Sequence, residues 1–244
     1  MSCINYITGG RLGDFFQQLS VVYEYYLKTG KKGIIYLDDT LGDKFRFGAA
    51  KALEDIREII ALQPYIEDVR LHNGEQFDVD LTLWRAHIFR SNSYSEVMEA
   101  IYKVEYGKRK WLLNIPIDTR WSDITVINTV DYRFPNRKSD IAFFNTLDLS
   151  KTIFVSFSEE QYNIFILNIP LPIQIPFYCP VDLMEACIIL NSCKLMAGSL
   201  SAFMTFATAL HKDCVYPADT VNLMYNMDKH MPMIKYTTPD GSKN

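Results

Sequence analysis

Cys3-Ile4-Asn5-Tyr6-Ile7-Thr8-Gly9-Gly10-Arg11-Leu12-Gly13-Asp14-Phe15-Phe16-Gln17-Gln18-Leu19 decides how the rest of the chain is read. A short β-type run, Cys3 to Ile7, meets three glycines, and a helix-compatible segment follows from about Asp14 to Lys28. Glycine has no Cβ to keep a ligand away and tolerates positive φ, so this loop can bring backbone N–H groups close to an anion or a sugar. A tight turn with a capping acid fits the same letters. Asp14 stands at the helix start, where a carboxylate can cap free N–H groups or face a ligand as a general base. Both readings stay open on the pattern. Gly30-Lys31-Lys32 closes the helix with a glycine and cations, and Gly33-Ile34-Ile35-Tyr36-Leu37 reads as a second strand. A β-α-β unit of this kind is parallel and right-handed within one sheet.

The pattern continues outward. Lys51 to Leu62 is an amphipathic helix and Val69 to His72 a strand. Phe77 to Trp84 alternates as an extended segment, and Ser95 to Tyr106 is helical in pattern. Periodicity breaks between Leu112 and Ser122, around Pro116, and then the alternation restarts. Ile124–Asn128, Thr152–Ser156 and Pro172–Phe177 read as strands, and Asp182–Asn191 as a helix. Lys194–Ala197 is a strand broken at Gly198, Ala202–Leu210 a helix of small residues, and Cys214–Tyr216 a last strand. The tail beyond Asp228 reads as irregular. Two runs of strand and helix separated by an irregular join predict two α/β lobes.

The 244 residues are 48% hydrophobic and 14% aromatic, enough to bury a substantial core. A net charge of -4 argues against a nucleic-acid binder. No apolar run reaches the roughly 18 residues of a membrane span, and no secretory signal pattern opens the chain. The five cysteines form no Cys-x-x-Cys pair, which reads as free thiols in a reducing compartment and hence a cytoplasmic protein. The four histidines stand in unrelated contexts, with no Gly-x-Ser-x-Gly elbow and no metal-ligand spacing. Asp38-Asp39 reads as a surface turn, and Asp78-Val79-Asp80 as outward-facing residues of an alternating segment.

Four strand ends are more polar than packing requires, and ligands of open α/β sheets bind at such ends. They are the loop Gly9–Asp14, the run Asn128-Thr129-Val130-Asp131-Tyr132-Arg133 with Arg137 and Lys138, the turn Ser156-Phe157-Ser158, and Gly198-Ser199-Leu200-Ser201. The basic run would suit a pyrophosphate, or is a solvated loop. Ser158 reads chiefly as a helix cap. The two serines with the N–H groups of the following helix would suit an anion, or Ser201 is simply an N-cap.

Gly9-Gly10-Arg11-Leu12-Gly13-Asp14, together with Gly198-Ser199-Leu200-Ser201 and Ala207-Thr208-Ala209-Leu210, resembles the heptosyltransferase-like glycosyltransferases of GT-B architecture. Val181 to Met196 is similar to the helix and strand that precede the family's donor-side turn. The resemblance implies two Rossmann-like lobes with a cleft between them, an N-terminal acceptor-side lobe over residues 1–117 and a C-terminal donor lobe over 118–244. It implies metal-independent transfer of a sugar, with inversion, from a nucleotide sugar to a glycan or glycolipid acceptor. No cofactor is implied beyond the donor itself, which is substrate. Asp14 would be the general base. Gly10, Arg11, Gly13, Thr129, Arg133, Lys138, Ser156, Gly198, Ser199 and Ser201 would bind the donor. The family's donor-side turn usually carries an Asp and a following His, whereas this chain has Ser199 there. That departure favours a non-catalytic nucleotide- or glycan-binding protein on the same fold, and Asp14 beside three glycines favours the enzyme.

Overall fold

The structure is a computed structural model and describes residues 2–41, 44–87, 94–130, 137–217 and 234–237. The chain forms two compact units, the first running through Ile115 and the second beginning at Pro116.

The first unit contains β1 (Ile4–Thr8), α1 (Leu12–Thr29), β2 (Gly33–Leu37), α2 (Ala49–Ala61), β3 (Ile66–Leu71), β4 (Val79–Asp80), a 3-10 turn (Leu83–Ala86) and α3 (Tyr94–Tyr102). Its strands form a parallel sheet in the order β3-β2-β1-β4. Helix α1 buries every residue from Phe15 to Val22, so its middle is covered all round, and it ends where Gly30 N–H reaches the Tyr26 carbonyl at 2.7 Å. Trp111 is fully buried and donates its indole N–H to the Phe16 carbonyl at 2.8 Å, tying the end of the unit to its first helix.

The second unit contains β5 (Thr125–Asn128), α4 (Arg137–Phe144), β6 (Thr152–Val155), α5 (Glu159–Asn168), β7 (Phe177–Tyr178), α6 (Leu183–Ser192), β8 (Leu195–Gly198), α7 (Ala202–Ala209), β9 (Cys214–Pro217) and β10 (Ile234–Thr237). The sheet order is β10-β9-β8-β5-β6-β7, again parallel. Successive residues of the central strands are all buried, Val126 with Ile127, Phe154 with Val155 and Met196 with Ala197, so both faces of this sheet are covered.

Each sheet reverses its direction of growth once. The first runs outward from β1 through β2 to β3, and β4 then joins the other flank of β1. The second runs outward from β5 to β7, and β8 then joins the other flank of β5. The carboxyl ends of the two strands at such a reversal diverge into different connections and leave a crevice, where open α/β sheets bind ligands.

Three expectations are corrected. Residues 234–237, in the tail read as irregular, pair with β9 in continuous register from Ile234 with Cys214 to Thr237 with Pro217. The stretch Pro172–Phe177 contributes ladder residues only at its end, because Pro172 and Pro176 lack the N–H a strand needs. Phe77–Trp84 is not one extended segment. Asp80 Oδ1 accepts both the N–H and the hydroxyl of Thr82 at 2.7 Å, and this turn ends β4 and starts the 3-10 turn. Asp78 is exposed, as its place in the alternation suggested, and its Oδ2 accepts the Asn5 N–H at 2.8 Å.

At the second reversal Gly198 has φ +145°, and a Cβ there would overlap the Asn128 carbonyl oxygen. Gly198→Ala is therefore expected to lower the unfolding free energy by about 3 kcal/mol, through strain and backbone overlap. Urea denaturation measures it, and a loss below about 1 kcal/mol would show that β8 shifts freely against β5.

Candidate functional site

In the first unit the β1/β4 reversal gathers a charged pair. Asp14 lies in the first turn of α1, and its Oδ2 accepts the Arg11 N–H at 3.2 Å. The same oxygen receives the Arg85 guanidinium at 2.7 Å, sent from the 3-10 turn that follows β4. Both bonds go to Oδ2, and among the described residues no group bonds to Oδ1. The pair is partly open to solvent, with 23% of the Asp14 side chain and 20% of that of Arg85 exposed. Arg85 also lies over the Trp84 ring at 4.9 Å, so stacking orients its planar fork.

Gly10 explains how the cation gets in. It is buried at φ +115°, and a Cβ there would overlap Arg85 Nη2 and lie 3.3 Å from Asp14 Oδ2. The missing side chain makes room for Arg85. Arg11 is exposed at the helix start and Gly13 half-buried in the first turn.

The neighbouring strand ends carry a second charged pair. Asp38 follows β2 and His72 follows β3, and His72 Nδ1 lies 2.7 Å from Asp38 Oδ2. The other ring nitrogen lies 3.1 Å from the Glu75 carbonyl. With an acceptor at each nitrogen the protonated imidazolium satisfies both contacts. The Asp38 bond first and the Glu75 carbonyl second raise the His72 pKa above its usual value. Burial opposes ionisation of Asp38, but bonds from Thr40 and His72 outweigh it and lower its pKa.

In the second unit the described residues at the β5/β8 reversal are uncharged. Asn128 is buried, donates Nδ2–H to the Val155 carbonyl of β6 at 2.8 Å, and accepts the Ser201 hydroxyl at 2.7 Å. Ser201 is the N-cap of α7, its Oγ also accepting the Met204 N–H. Ser199 is fully buried; its hydroxyl accepts the Val130 N–H at 2.9 Å and its N–H donates to the Asn128 carbonyl. One strand over, Ser156 Oγ donates to Gln161 at 2.6 Å and accepts the Ser158 N–H at 3.1 Å. Ser158 caps α5, as its position suggested.

Thr129, Gly198, Ser199 and Ser201 thus come together, with Ser156 at the adjacent strand end. Gly10, Arg11, Gly13 and Asp14 lie in the other unit. Arg133 lies outside the described residues, as does the side chain of Lys138 in the first turn of α4. Among the described residues no three His, Cys, Asp or Glu side chains are placed to hold a metal ion. Sequence reasoning missed Arg85 and the Asp38–His72 pair. Asp80-x-Thr82 was the available signal for the first, since an aspartate two residues before a threonine is a turn former that ends a strand. For the second, a separation of 34 residues offers no local signal.

Among solved structures the chain is similar to Escherichia coli heptosyltransferase WaaC with ADP, at a TM-score of 0.61 and 11% identity over 97% of this chain and 93% of that one. It is also similar to E. coli ADP-heptose lps heptosyltransferase II, at 0.57 and 10% identity over 96% of this chain and 90% of that one. The glycosyl transferase family 9 structure from Veillonella parvula aligns at 0.53 and 11% identity over 96% and 85%. No family model and no curated protein sequence matches the chain. These likenesses show the fold, and it is the two-unit parallel α/β GT-B fold that the resemblance implied.

Two measurements check the charged pairs. Gly10→Ala is expected to displace Arg85 and lower stability by about 2 kcal/mol. Arg85→Ala should then cost less in the Gly10→Ala background than alone, and full additivity in that double-mutant cycle would sink the account. For His72, the raised folded pKa contributes stability that is complete below the unfolded value of 6.5 and is lost as pH rises through the folded value. The lowered Asp38 pKa contributes stability present above 3.8 and lost on acidification through the folded value. Wild type should therefore exceed His72→Gln in stability most between about pH 4 and 6.5, with the gap shrinking as pH rises further. A gap that widens with alkalinity would contradict the assignment.

Proposed function

We propose that the protein is a glycosyltransferase that moves a sugar from a nucleotide-activated donor to a hydroxyl of a glycan or glycolipid acceptor. The observation that carries this reading is Asp14: a partly exposed carboxylate at a sheet reversal, with Oδ2 held by Arg85 and Arg11 and Oδ1 without a partner among the described residues. It is supported by the shared fold with heptosyltransferases, one of them a structure with ADP. In the proposed step Asp14 Oδ1 takes the proton of the acceptor hydroxyl as its oxygen attacks the anomeric carbon. The bond from that carbon to the donor diphosphate breaks, and the nucleoside diphosphate leaves with the electron pair. A single displacement of this kind inverts the anomeric centre. The diphosphate would rest at the β5/β8 reversal, against the N–H groups of the first turn of α7 other than that of Met204, which Ser201 caps. Arg133 and Lys138, next along the chain from β5, would neutralise its charge without a metal. This reading assigns the protein to the cytoplasm.

The test is thermal stabilisation by a panel of nucleoside diphosphates and nucleotide sugars, without metal and then with magnesium. A ligand at about a hundred times its Kd adds about 2.7 kcal/mol to the folded state. We expect one base to stand out, with no dependence on metal. With the matching sugar donor, Asp14→Asn should bind the nucleotide like wild type and transfer about 10²- to 10⁴-fold more slowly. Equal binding with unchanged transfer would remove Asp14 from the chemistry, and no stabilisation by any nucleotide would refute the donor reading.

A further inference from the structure

Phe157 is a large apolar side chain in a place where core packing does not ask for one. It lies between Ser156 and Ser158 at the carboxyl end of β6, and 46% of it is exposed. Its two neighbours are held firmly. Ser156 N–H reaches the Tyr178 carbonyl at 3.2 Å, Ser156 Oγ bonds both Gln161 and the Ser158 N–H, and Ser158 caps α5. The turn therefore holds the backbone of Phe157 in place. Behind it sits Phe203, in the first turn of α7, with ring centroids 5.7 Å apart, and Phe203 packs in turn against Phe206 at 6.2 Å. One side of Phe157 is fixed to the fold and the rest is left open.

The location gives the open part a use. Strand β6 is the immediate neighbour of β5, and Asn128 joins the two strand ends to the cap of α7 through Val155 and Ser201. Phe203, which backs Phe157, stands two residues beyond that cap. An aromatic ring thus flanks the start of α7, where the reading above puts the diphosphate. A nucleotide has an anionic end and a flat aromatic end, and these two features lie side by side to receive them.

We propose that Phe157 is a stacking platform for the nucleobase of a nucleoside diphosphate, with Phe203 as the support that holds the ring in place. The proposal rests on the donor reading given above. Stacking uses the π-face that every base possesses, so the platform contributes affinity and leaves choice of base to hydrogen bonds elsewhere.

The experiment uses the full chain, with ADP, GDP, UDP, CDP and inorganic pyrophosphate as probes, by isothermal titration calorimetry. Wild type is expected to bind at least one nucleoside diphosphate more tightly than pyrophosphate. Phe157→Ala should weaken that nucleotide roughly 10- to 100-fold and leave pyrophosphate unchanged, and Phe157→Tyr should restore it. Phe157→Trp gives a readout independent of affinity: its fluorescence, as the difference from wild type, should be quenched by the nucleotide and not by pyrophosphate. Nucleotide binding unchanged in Phe157→Ala, with no quenching in Phe157→Trp, overturns the platform while the donor reading stands. Equal losses for nucleotide and pyrophosphate in Phe157→Ala, again without quenching, also overturn it, because the ring would then be supporting the turn. If wild type binds none of the nucleotides, the donor reading fails and the platform falls with it.

Discussion

The buried amide of Asn128 holds the second unit's functional end together. A parallel sheet of short strands leaves its carboxyl ends as separate loops, and nothing in the ladder itself prevents those loops from drifting apart. Asn128 answers this with one side chain, donating to the β6 carbonyl of Val155 and accepting from Ser201 at the head of α7. Its backbone carbonyl takes the Ser199 N–H while Gly198 passes against it. An amide suits the position because it is both donor and acceptor and carries no charge to desolvate. Strand, neighbouring strand and helix start are registered against one another before any ligand arrives.

The two reversals differ in electrostatic character. The first unit sets ionised groups at its strand ends, Asp14 with Arg85 and Asp38 with His72. The second lines its reversal with an amide, hydroxyls and backbone. A partly buried carboxylate at a strand end is held by charge, since an unpaired one there would be poorly solvated. Among the described residues this end carries no carboxylate, and the buried Ser199 supplies an uncharged hydroxyl there.

Much of the fold was legible because apolar runs and turn formers coincide. Cys3–Ile7, the three glycines and the helix-compatible run from about Asp14 to Lys28 could be read directly as strand, turn and helix, and Ser158 announced its helix as a cap. The failures have physical causes. Ile234–Thr237 alternates as a strand does, but four residues are too few for that pattern to stand out from its surroundings, and the ladder is completed by β9. The apolar Pro172–Phe177 looks like a strand to a hydropathy reading that does not count missing N–H donors. Asp14 could be named from its position, but the guanidinium that holds it comes from 71 residues away. The Gly10 signal was visible, and its reason was not: glycine reads as room for a ligand, and here the room is taken by an arginine of the same unit.

That arrangement bears on how portable the loop is. Gly9–Asp14 has the look of a self-contained motif that could be lifted from one protein and set into another. Its geometry is in fact shared property of two distant segments, because the aim of the carboxylate is dictated from the 3-10 turn after β4. A graft of the loop alone would transplant the letters and lose the aim. Gly10, Asp14 and Arg85 form a single physical unit scattered along the chain, and a change at one of them alters the geometry that the other two share.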